Sequence, residues 1–213
     1  VIGLCFLWWP RFAGVYGIPS TARAAVGAVL PLAISGGFHA DGFMDTMDAL
    51  HSYRDRERKL EILKDSHIGA FAAIMLALYY MIDIAAISEI HTQKAVSALA
   101  AVFFLARCFS GIAVMTLQPA KKEGLLYTFA SSAQKVMVKA ALYFQTVLCV
   151  VLMLLVSGWY GAAAIGAVLL SFFYFKKKSY KELGGITGDT AGFFVTVCEA
   201  AAAAAVAVTG YFL

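Results

Sequence analysis

The sequence predicts an all-α fold, a polytopic transmembrane helical bundle with about six to seven spans. Apolar residues make up 62% of the 213-residue chain, charged residues 14%, and the mean hydropathy is +0.79. Soluble domains average about 45–50% apolar and about 25% charged residues, so the composition excludes a soluble enzyme and a disordered tail. The apolar residues also fall into blocks of roughly 20, the length of a helix that crosses a bilayer.

The four cysteines exclude a secreted disulfide scaffold. Each lies inside an apolar run, far from the others in sequence, and no metal-ligand spacing results. Buried free thiols are the simpler interpretation. The net charge of +4 is modest and the lysines fall between the predicted helices, which favours membrane topology over nucleic-acid binding.

The first apolar segment, residues 1–9, is too short to span a membrane alone. It has no initiator Met, basic n-region or cleavage site, so we expect the tail of a helix rather than a signal peptide. Trp8 and Trp9, followed by Pro10, are typical of a helix end at the membrane interface. No internal repeat or linker divides the chain, and residues 1–213 are predicted to form a single integral membrane domain. The remaining predicted spans are residues 19–35, 68–87, 95–117, 136–156, 160–175 and 190–208.

Alternating these spans across a membrane places the loops 36–67, 118–135 and 176–189 on one side. That side carries twelve basic residues, against Arg11 and Lys94 in the opposite loops. Basic residues concentrate in cytoplasmic loops, so we expect the charged loops to be cytoplasmic. The twelve are Arg54, Arg56, Arg58, Lys59, Lys64, Lys121, Lys122, Lys135, Lys176, Lys177, Lys178 and Lys181.

Residues 39–48, HADGFMDTMD, place a group of carboxylates directly after an apolar span. If this stretch is helical, Asp41, Asp45 and Asp48 share one face at positions i, i+4 and i+7. Like charges at this spacing repel, and hard oxygen ligands suit Mg²⁺ or Mn²⁺ bound together with substrate phosphates. Ionisable residues beside a span also favour a functional interpretation. The alternative is a solvated acidic face balanced by the basic residues of 54–59.

Residues on either side of these acids are further candidates. His39 could be a general base, a phosphate contact or a satisfied interfacial histidine, and the residues alone favour the last. Segment 54–69, RDRERKLEILKDSHIG, suggests an amphipathic helix on the membrane surface. It could form a basic lid over an anionic substrate, with Lys64 and Ser66 as phosphate contacts, or simply determine topology.

The glycine-rich stretch 183–190, LGGITGDT, opens the last predicted span. Glycine lets the backbone approach a ligand closely, and N–H groups at a helix N-terminus bind phosphate. Asp189 is predicted on the same side as the acidic motif, where it could reach the same metal. The alternative is a plain turn with Asp189 or Thr190 as the helix N-cap.

Three ionisable residues fall inside predicted spans. Arg107 is mid-span and should face the bundle interior with an anionic partner, for which a diphosphate is one candidate. Asp83 and Glu199 are weaker candidates that pair locally or border a wet cavity. Glu199 follows Asp189 by ten residues, about 15 Å along a helix, too far for the two to share one metal.

Three motifs in the same order resemble the cobalamin synthase family, whose members are adenosylcobinamide-GDP ribazoletransferases. They are residues 39–48, LEILKDSHIG at 60–69 and GGITGDTAG at 184–192, and Arg107 and EGL at 123–125 also resemble the family's pattern. The resemblance covers the whole chain. It implies an Mg²⁺-dependent membrane enzyme of the late nucleotide-loop stage of cobalamin biosynthesis. Such an enzyme transfers the cobinamide phosphate of adenosylcobinamide-GDP to α-ribazole or α-ribazole 5′-phosphate. It releases GMP and forms adenosylcobalamin or its 5′-phosphate.

The resemblance and the residues together imply roles for the site. Asp41 and Asp45 are expected to bind the metal, and Asp48 and Asp189 to complete its shell directly or through water. Attack of a hydroxyl on a diphosphate requires neutralisation by metal and cationic groups. The residues expected to hold the diphosphate are Lys64, Ser66, Arg107, Gly185, Thr187 and Gly188.

The identity of the general base is not decided by the sequence, and the chain differs from the family's pattern in three ways. The proton of the attacking hydroxyl would pass to His39 or Asp65, and the residues do not decide between them. His67 stands where the family usually has Arg, which weakens a phosphate role there, and Ala49 where it often has Gly. The family's opening segment, before its first span, is expected to be missing.

Two alternatives compete with this interpretation. A CDP-alcohol phosphotransferase also sets aspartates around metal, but its pattern has Ala-Arg where this chain has Asp45-Thr46. A divalent-cation transporter would use Asp41, Asp45 and Arg107 as a permeation path, yet the repeat symmetry common in transporters is not seen.

We expect a multi-pass protein of the bacterial or archaeal cytoplasmic membrane, with its active face cytoplasmic. The two substrates and the lipid bilayer are the expected partners, and nucleic acid is not. A homo-oligomer, or a complex with other corrinoid-pathway enzymes, is left open.

Overall fold

The computed structural model of the chain describes residues 1–65, 67–121 and 135–213. Within these ranges the fold is helical, with one isolated bridge between Pro119 and Ile186. This confirms the predicted all-α class. The described helices are α1 (Ile2–Val15), α2 (Ser20–Ser35), α3 (Phe38–His51), α4 (Arg56–Ile62), α5 (Ala70–Ser88), α6 (Gln93–Thr116), α7 (Lys135–Ser157), α8 (Trp159–Leu183) and α9 (Gly188–Gly210).

Five of these helices, α5 to α9, are long and apolar enough to cross a membrane. Helices α2 and α3 pass the same test as a pair, but they are bent by 96° at the break between them. The polytopic bundle is therefore confirmed. The described residues contain five spans, which is one fewer than the predicted six to seven, or six if the bent pair counts as one span.

Two consecutive glycines cause the bend. Gly36 ends α2 with φ 67° and Gly37 precedes α3 with φ 83°. Both values lie in the left-handed region, which glycine adopts without the steric penalty of a Cβ atom. The predicted span 19–35 therefore stops as a 16-residue helix, and the acidic motif begins a new helix in a different direction.

The predicted end of the first helix at Trp9 is wrong, because α1 continues through Pro10 to Val15. Neighbouring helices contact it before the proline, and Ala13, after the proline, is fully buried. The Phe6 ring packs 5.2 Å from the Phe103 ring of α6, and Trp9 Nε1 donates a hydrogen bond to the Arg23 carbonyl at 2.7 Å. Tertiary packing thus outweighs the loss of one backbone donor.

The described parts of the three charged loops meet at one end of the bundle, as predicted. Lys59 on α4 forms an ion pair with Glu182 near the end of α8. The ammonium group of Lys121 donates to the Leu60 carbonyl at 3.1 Å. The amide of Ile186 donates to the Gln118 carbonyl at 2.9 Å. These contacts define the charged end of the molecule.

Helix α4 packs its apolar side on protein, which corrects the expectation of an amphipathic helix lying on the membrane surface. Leu60 and Leu63 are buried in a small cluster with Ala49 of α3 and Leu183 of α8. Asp55 caps the helix by accepting the Arg58 amide. Helix α4 is therefore part of the charged end rather than a separate surface element.

Helix α9 is the most buried span and α7 the least. Helix α9 contacts α3, α5, α6 and α8, so it occupies the centre of the bundle. Its crossing with α3 is very close. A Cβ atom on Gly42 would lie 2.8 Å from the Asp189 carbonyl oxygen, and one on Gly192 3.3 Å from the His39 carbonyl oxygen. Beside these glycines, Phe43 stacks on Phe193 with 5.9 Å between ring centroids.

We predict that Gly42→Ala destabilises the protein although alanine is the better helix former. The new methyl group would overlap the backbone of Asp189, and overpacking of this kind costs about 1–3 kcal/mol. Thermal unfolding in detergent should show a lower Tm. Gly166→Ala in α8 is the matched control, because a methyl group at this position would meet no atom within 4 Å. Equal Tm values for the two variants would contradict the prediction.

Candidate active site

The crossing of α3 and α9 brings two sequence motifs together. Asp41, Asp45 and Asp48 lie on one helix, as the i, i+4, i+7 spacing requires. Asp45 interacts electrostatically with Asp41, Asp48 and Asp189, and Asp189 also interacts with Asp41. The four predicted metal ligands are therefore neighbours at the charged end. We call them the acidic cluster.

The acidic cluster offers the donor chemistry that Mg²⁺ prefers, but the protein does not close a shell by itself. Within residues 1–65, 67–121 and 135–213, no three His, Cys, Asp or Glu side chains are arranged to hold a metal ion. Mg²⁺ commonly uses one or two carboxylates and completes its octahedron with water and substrate phosphates. A partly open set of carboxylates fits that pattern of binding.

Asp48 has a structural task that its sequence position does not reveal. Its two carboxylate oxygens accept hydrogen bonds from the backbone amides of Gly69 at 2.7 Å and Ala72 at 2.8 Å. Gly69 is the N-cap residue of α5, so Asp48 on α3 caps the next span. Both of its oxygens are engaged by protein, in contrast to those of Asp41, which is exposed.

His39 lies in the first turn of α3, two residues before Asp41. Its carbonyl accepts a hydrogen bond from Thr196 Oγ1 of α9 at 3.2 Å. Its ring nitrogen Nδ1 is buried, with no hydrogen-bond partner among the described residues. The alternative of a fully satisfied interfacial histidine therefore does not describe this ring.

The second candidate base, Asp65, lies in an exposed linker between α4 and α5. One of its oxygens accepts hydrogen bonds from the backbone amide of His67 at 3.0 Å and from its ring nitrogen Nδ1 at 2.6 Å. These hydrogen bonds lower the pKa of Asp65, which makes it a weaker base. Lys64 is exposed in the same linker, and the predicted contact Ser66 lies outside the described residues.

Protein contacts explain the first two glycines of the third motif. Gly184 ends α8 with φ 73°, and the Arg56 guanidinium occupies the space that a Cβ atom would need. A Cβ atom on Gly185 would lie 2.6 Å from the Gln118 carbonyl oxygen. The close backbone approach predicted for a ligand is thus made here to residues 118–120.

Thr187 is the N-cap of α9, in place of the Asp189 or Thr190 considered from the sequence. Its hydroxyl accepts the Thr190 amide, while the Thr190 hydroxyl accepts the Thr187 amide, forming a reciprocal capping box. Gly188 follows at the first helical position, exposed and with open space around it. The open part of the predicted phosphate-binding turn is therefore Gly188 and the start of α9.

Arg107 faces the bundle interior, and its anionic partner is a protein residue. Its Nη1 atom donates to Glu199 Oε1 at 2.7 Å and to the Phe103 carbonyl at 2.5 Å. Asp83 is buried nearby and interacts electrostatically with Glu199. Arg107 and Glu199 border the same crevice as His39, which links the ion pair to the first turn of α3.

Comparison with known proteins decides the family. The family model described as cobalamin-5-phosphate synthase matches residues 1–207. The chain belongs to this family. A relative from Lachnoclostridium phytofermentans, named adenosylcobinamide-GDP ribazoletransferase, is 42% identical over 98% of this chain and 79% of its own length. A Clostridium botulinum relative of the same name is 30% identical over 93% of this chain and 79% of its own. No solved structure matches.

These matches confirm the resemblance drawn from the three motifs. The chain is an enzyme of cobalamin synthesis with several membrane-spanning helices. Neither the CDP-alcohol phosphotransferase nor the cation transporter finds support in the comparisons. The predicted metal ligands Asp41, Asp45 and Asp189 are thus brought together in a chain of this family, whereas Arg107 is paired with Glu199 inside the bundle.

The structure also adds residues that sequence reasoning missed. Gly192 and Thr196 contact the backbone of His39, and Arg56 lies against Gly184. The signal for the first two was available: with Asp189 they follow the helical spacing of three and four residues that marks one face. Nothing in the sequence pairs Arg56 with Gly184, since the two are joined only by the packing of α4 on α8.

We predict that Asp48→Ala lowers the Tm, because two amides at the start of α5 lose their acceptors. Loss of an N-cap side chain costs about 0.5–2 kcal/mol. Asp48→Asn should fall between this variant and the parent, since the amide oxygen still accepts. Glu57→Ala, an exposed acid on α4, is the control and should leave the Tm unchanged. A Tm for Asp48→Ala equal to that of the control would contradict the capping role.

Proposed function

We propose that the protein transfers the cobinamide phosphate of adenosylcobinamide-GDP to α-ribazole or its 5′-phosphate. The products are GMP and adenosylcobalamin or its 5′-phosphate. The observation that carries the proposal is the convergence of Asp41, Asp45 and Asp189 at the α3–α9 crossing. The family membership and the names of the relatives support it.

The transfer makes one bond and breaks one. A ribose hydroxyl oxygen of the acceptor forms a bond to the cobinamide-side phosphorus of the diphosphate. The bond from that phosphorus to the bridging oxygen breaks, and GMP leaves with this oxygen. The hydroxyl proton must pass to a base, and the charge that develops on the phosphoryl oxygens must be neutralised.

One or two of the carboxylates of Asp41, Asp45 and Asp189 would hold the Mg²⁺, and water and substrate phosphates would complete its shell. Bound there, the ion would neutralise phosphate charge and polarise the phosphorus–oxygen bonds. Asp48 contributes indirectly, because its hydrogen bonds to Gly69 and Ala72 tie α3 to α5. Because both of its oxygens accept these hydrogen bonds, Asp48 would reach the ion through a water molecule.

The start of α9 is the proposed cradle for the diphosphate. The positive end of the helix dipole favours an anion there, and Gly188 leaves the approach open. Thr187 caps this end of α9, and Gly185, just before it, packs on the backbone of residues 118–120. Lys64 supplies an exposed cation at the same end of the bundle.

His39 and Asp65 are both proposed as acceptors for the hydroxyl proton. His39 shares its helical turn with Asp41, and its Nδ1 has no partner among the described residues. Asp65 is exposed, and the contacts from His67 lower its pKa. The structural observations therefore favour His39, and a comparison of His39→Ala with Asp65→Ala would separate them.

The proposed setting is the cytoplasmic membrane of a bacterium or archaeon, with the charged end in the cytoplasm. The concentration of lysine and arginine at this end supports the orientation. A nucleotide donor is soluble and would reach the acidic cluster from that side.

We predict that Asp41→Asn lowers GMP release from adenosylcobinamide-GDP and α-ribazole phosphate by ~10²–10³-fold, the loss typical of one group that stabilises transition-state charge. Liposome-reconstituted protein would be assayed with Mg²⁺ and with EDTA, and chelation should abolish turnover of the parent. Asp55→Asn is the matched control, because Asp55 lies at the same end, is exposed and caps α4 by accepting the Arg58 amide, which asparagine also does.

Turnover by the parent in EDTA would contradict the metal proposal. Absence of GMP and of corrinoid product from a folded parent with Mg²⁺ and both substrates would contradict the transferase.

A further inference from the structure

Helix α9 carries one polar stripe that runs from the charged end into the bundle. Asp189, Gly192, Thr196 and Glu199 follow each other at intervals of three, four and three residues, so they share one face. Glu199 lies about 15 Å along the helix from Asp189. The stripe thus begins in the acidic cluster and ends at an ion pair inside a membrane-spanning segment.

Each residue of the stripe has a defined contact. Gly192 lies against the backbone of His39, and Thr196 donates to the His39 carbonyl. Glu199 pairs with Arg107 of α6. Gly192 and Thr196 therefore hold the first turn of α3, while Glu199, at the other end of the stripe, is bound to α6.

The surroundings of Arg107 argue against a bound phosphate. Its guanidinium is already paired with Glu199, which is buried, and the buried carboxyl group of Asp83 lies near Glu199. A phosphate at Arg107 would meet these two acids. The crevice between Arg107 and His39 is narrow enough to hold water rather than a phosphate group.

A wider cavity lies on the other side of Arg107, but it also suits a phosphate poorly. Its described walls are mainly aliphatic and aromatic side chains of α1, α2 and α6, and among the described side chains lining it Arg107 is the sole cation. Burial of a dianion beside one already paired arginine would leave charge uncompensated.

We propose that Arg107 and Glu199 act as one charge-neutral positioning pair rather than as a binding site for substrate phosphate. The pair fixes α9 against α6 and thereby sets the rotation of α9. Through Thr196 and Gly192 this rotation places the first turn of α3, and with it the acidic cluster. The inference rests on the proposed function, because the effect of the pair is measured on the rate of the proposed transfer reaction.

The experiment compares Arg107→Gln, Glu199→Gln and the double variant Arg107→Gln/Glu199→Gln in liposomes. GMP release is expressed per folded protein, and the KM for adenosylcobinamide-GDP is determined with the Tm. Each single variant leaves one charge of the pair without its partner inside the bundle and should lose at least tenfold in kcat. The double variant should recover most of the kcat and the Tm, with the parent's KM for the donor.

Thr209→Val is the control, because Thr209 lies near the far end of the same helix and its hydroxyl donates to the Ala205 carbonyl of its own helix. It should leave kcat, KM and Tm unchanged.

The opposite pattern would overturn the proposal. If Arg107 binds a substrate phosphate, the double variant will be as inactive as Arg107→Gln, with a raised KM for the donor. Parent-like activity in both single variants would also overturn it. Where the double variant does not fold, Arg107→Lys decides: a lysine still pairs with Glu199, so an unchanged donor KM supports positioning and a raised one supports phosphate binding. Failure of the parent itself to release GMP would instead refute the proposed function.

Discussion

The close contact between α3 and α9 is the constraint on which the site depends. A Cβ atom on Gly42 would overlap the Asp189 backbone and one on Gly192 would crowd the His39 backbone, so these two glycines let the helices approach closely. Phe43 and Phe193 stack beside them and bury apolar surface at the same crossing. Packing therefore holds together carboxylates that repel each other, since Asp41, Asp45 and Asp189 would separate if electrostatics alone decided.

Helix ends divide the four acids into two kinds. Asp48 gives both oxygens to the amides that begin α5, and Asp189 lies in the first turn of α9. The positive end of a helix dipole stabilises a carboxylate at each place. Asp41 lies in the first turn of α3 as well, whereas Asp45 lies one turn further along α3 and has no such helix end. The charge of Asp45 is therefore the part of the acidic cluster that a divalent cation would neutralise most effectively.

Much of this arrangement was predictable from the sequence, because long-range topology follows from hydrophobic length and charge. Alternating spans place the acidic motif and Asp189 on one side of the membrane, and the structure confirms that they are neighbours. Local patterns were less decisive. A glycine such as Gly185 serves a ligand or a protein backbone equally well, and Asp48 resembles a metal ligand as much as a helix cap. The Arg107–Glu199 pair joins residues 92 positions apart, and only the packing of α6 on α9 reveals it.

A buried ion pair so far from the reacting groups has a mechanical consequence. The alanine-rich second half of α9 has few large side chains that would fix the rotation of the helix about its axis. Successive side chains on a helix are separated by about 100° around its axis, so a rotation of α9 by part of that angle would turn Asp189 away from α3. The hydrogen bond from Thr196 and the ion pair of Glu199 anchor the same face at two levels. Together they oppose such rotation, and the direction of the Asp189 side chain is thereby set from within the membrane-spanning part of the helix.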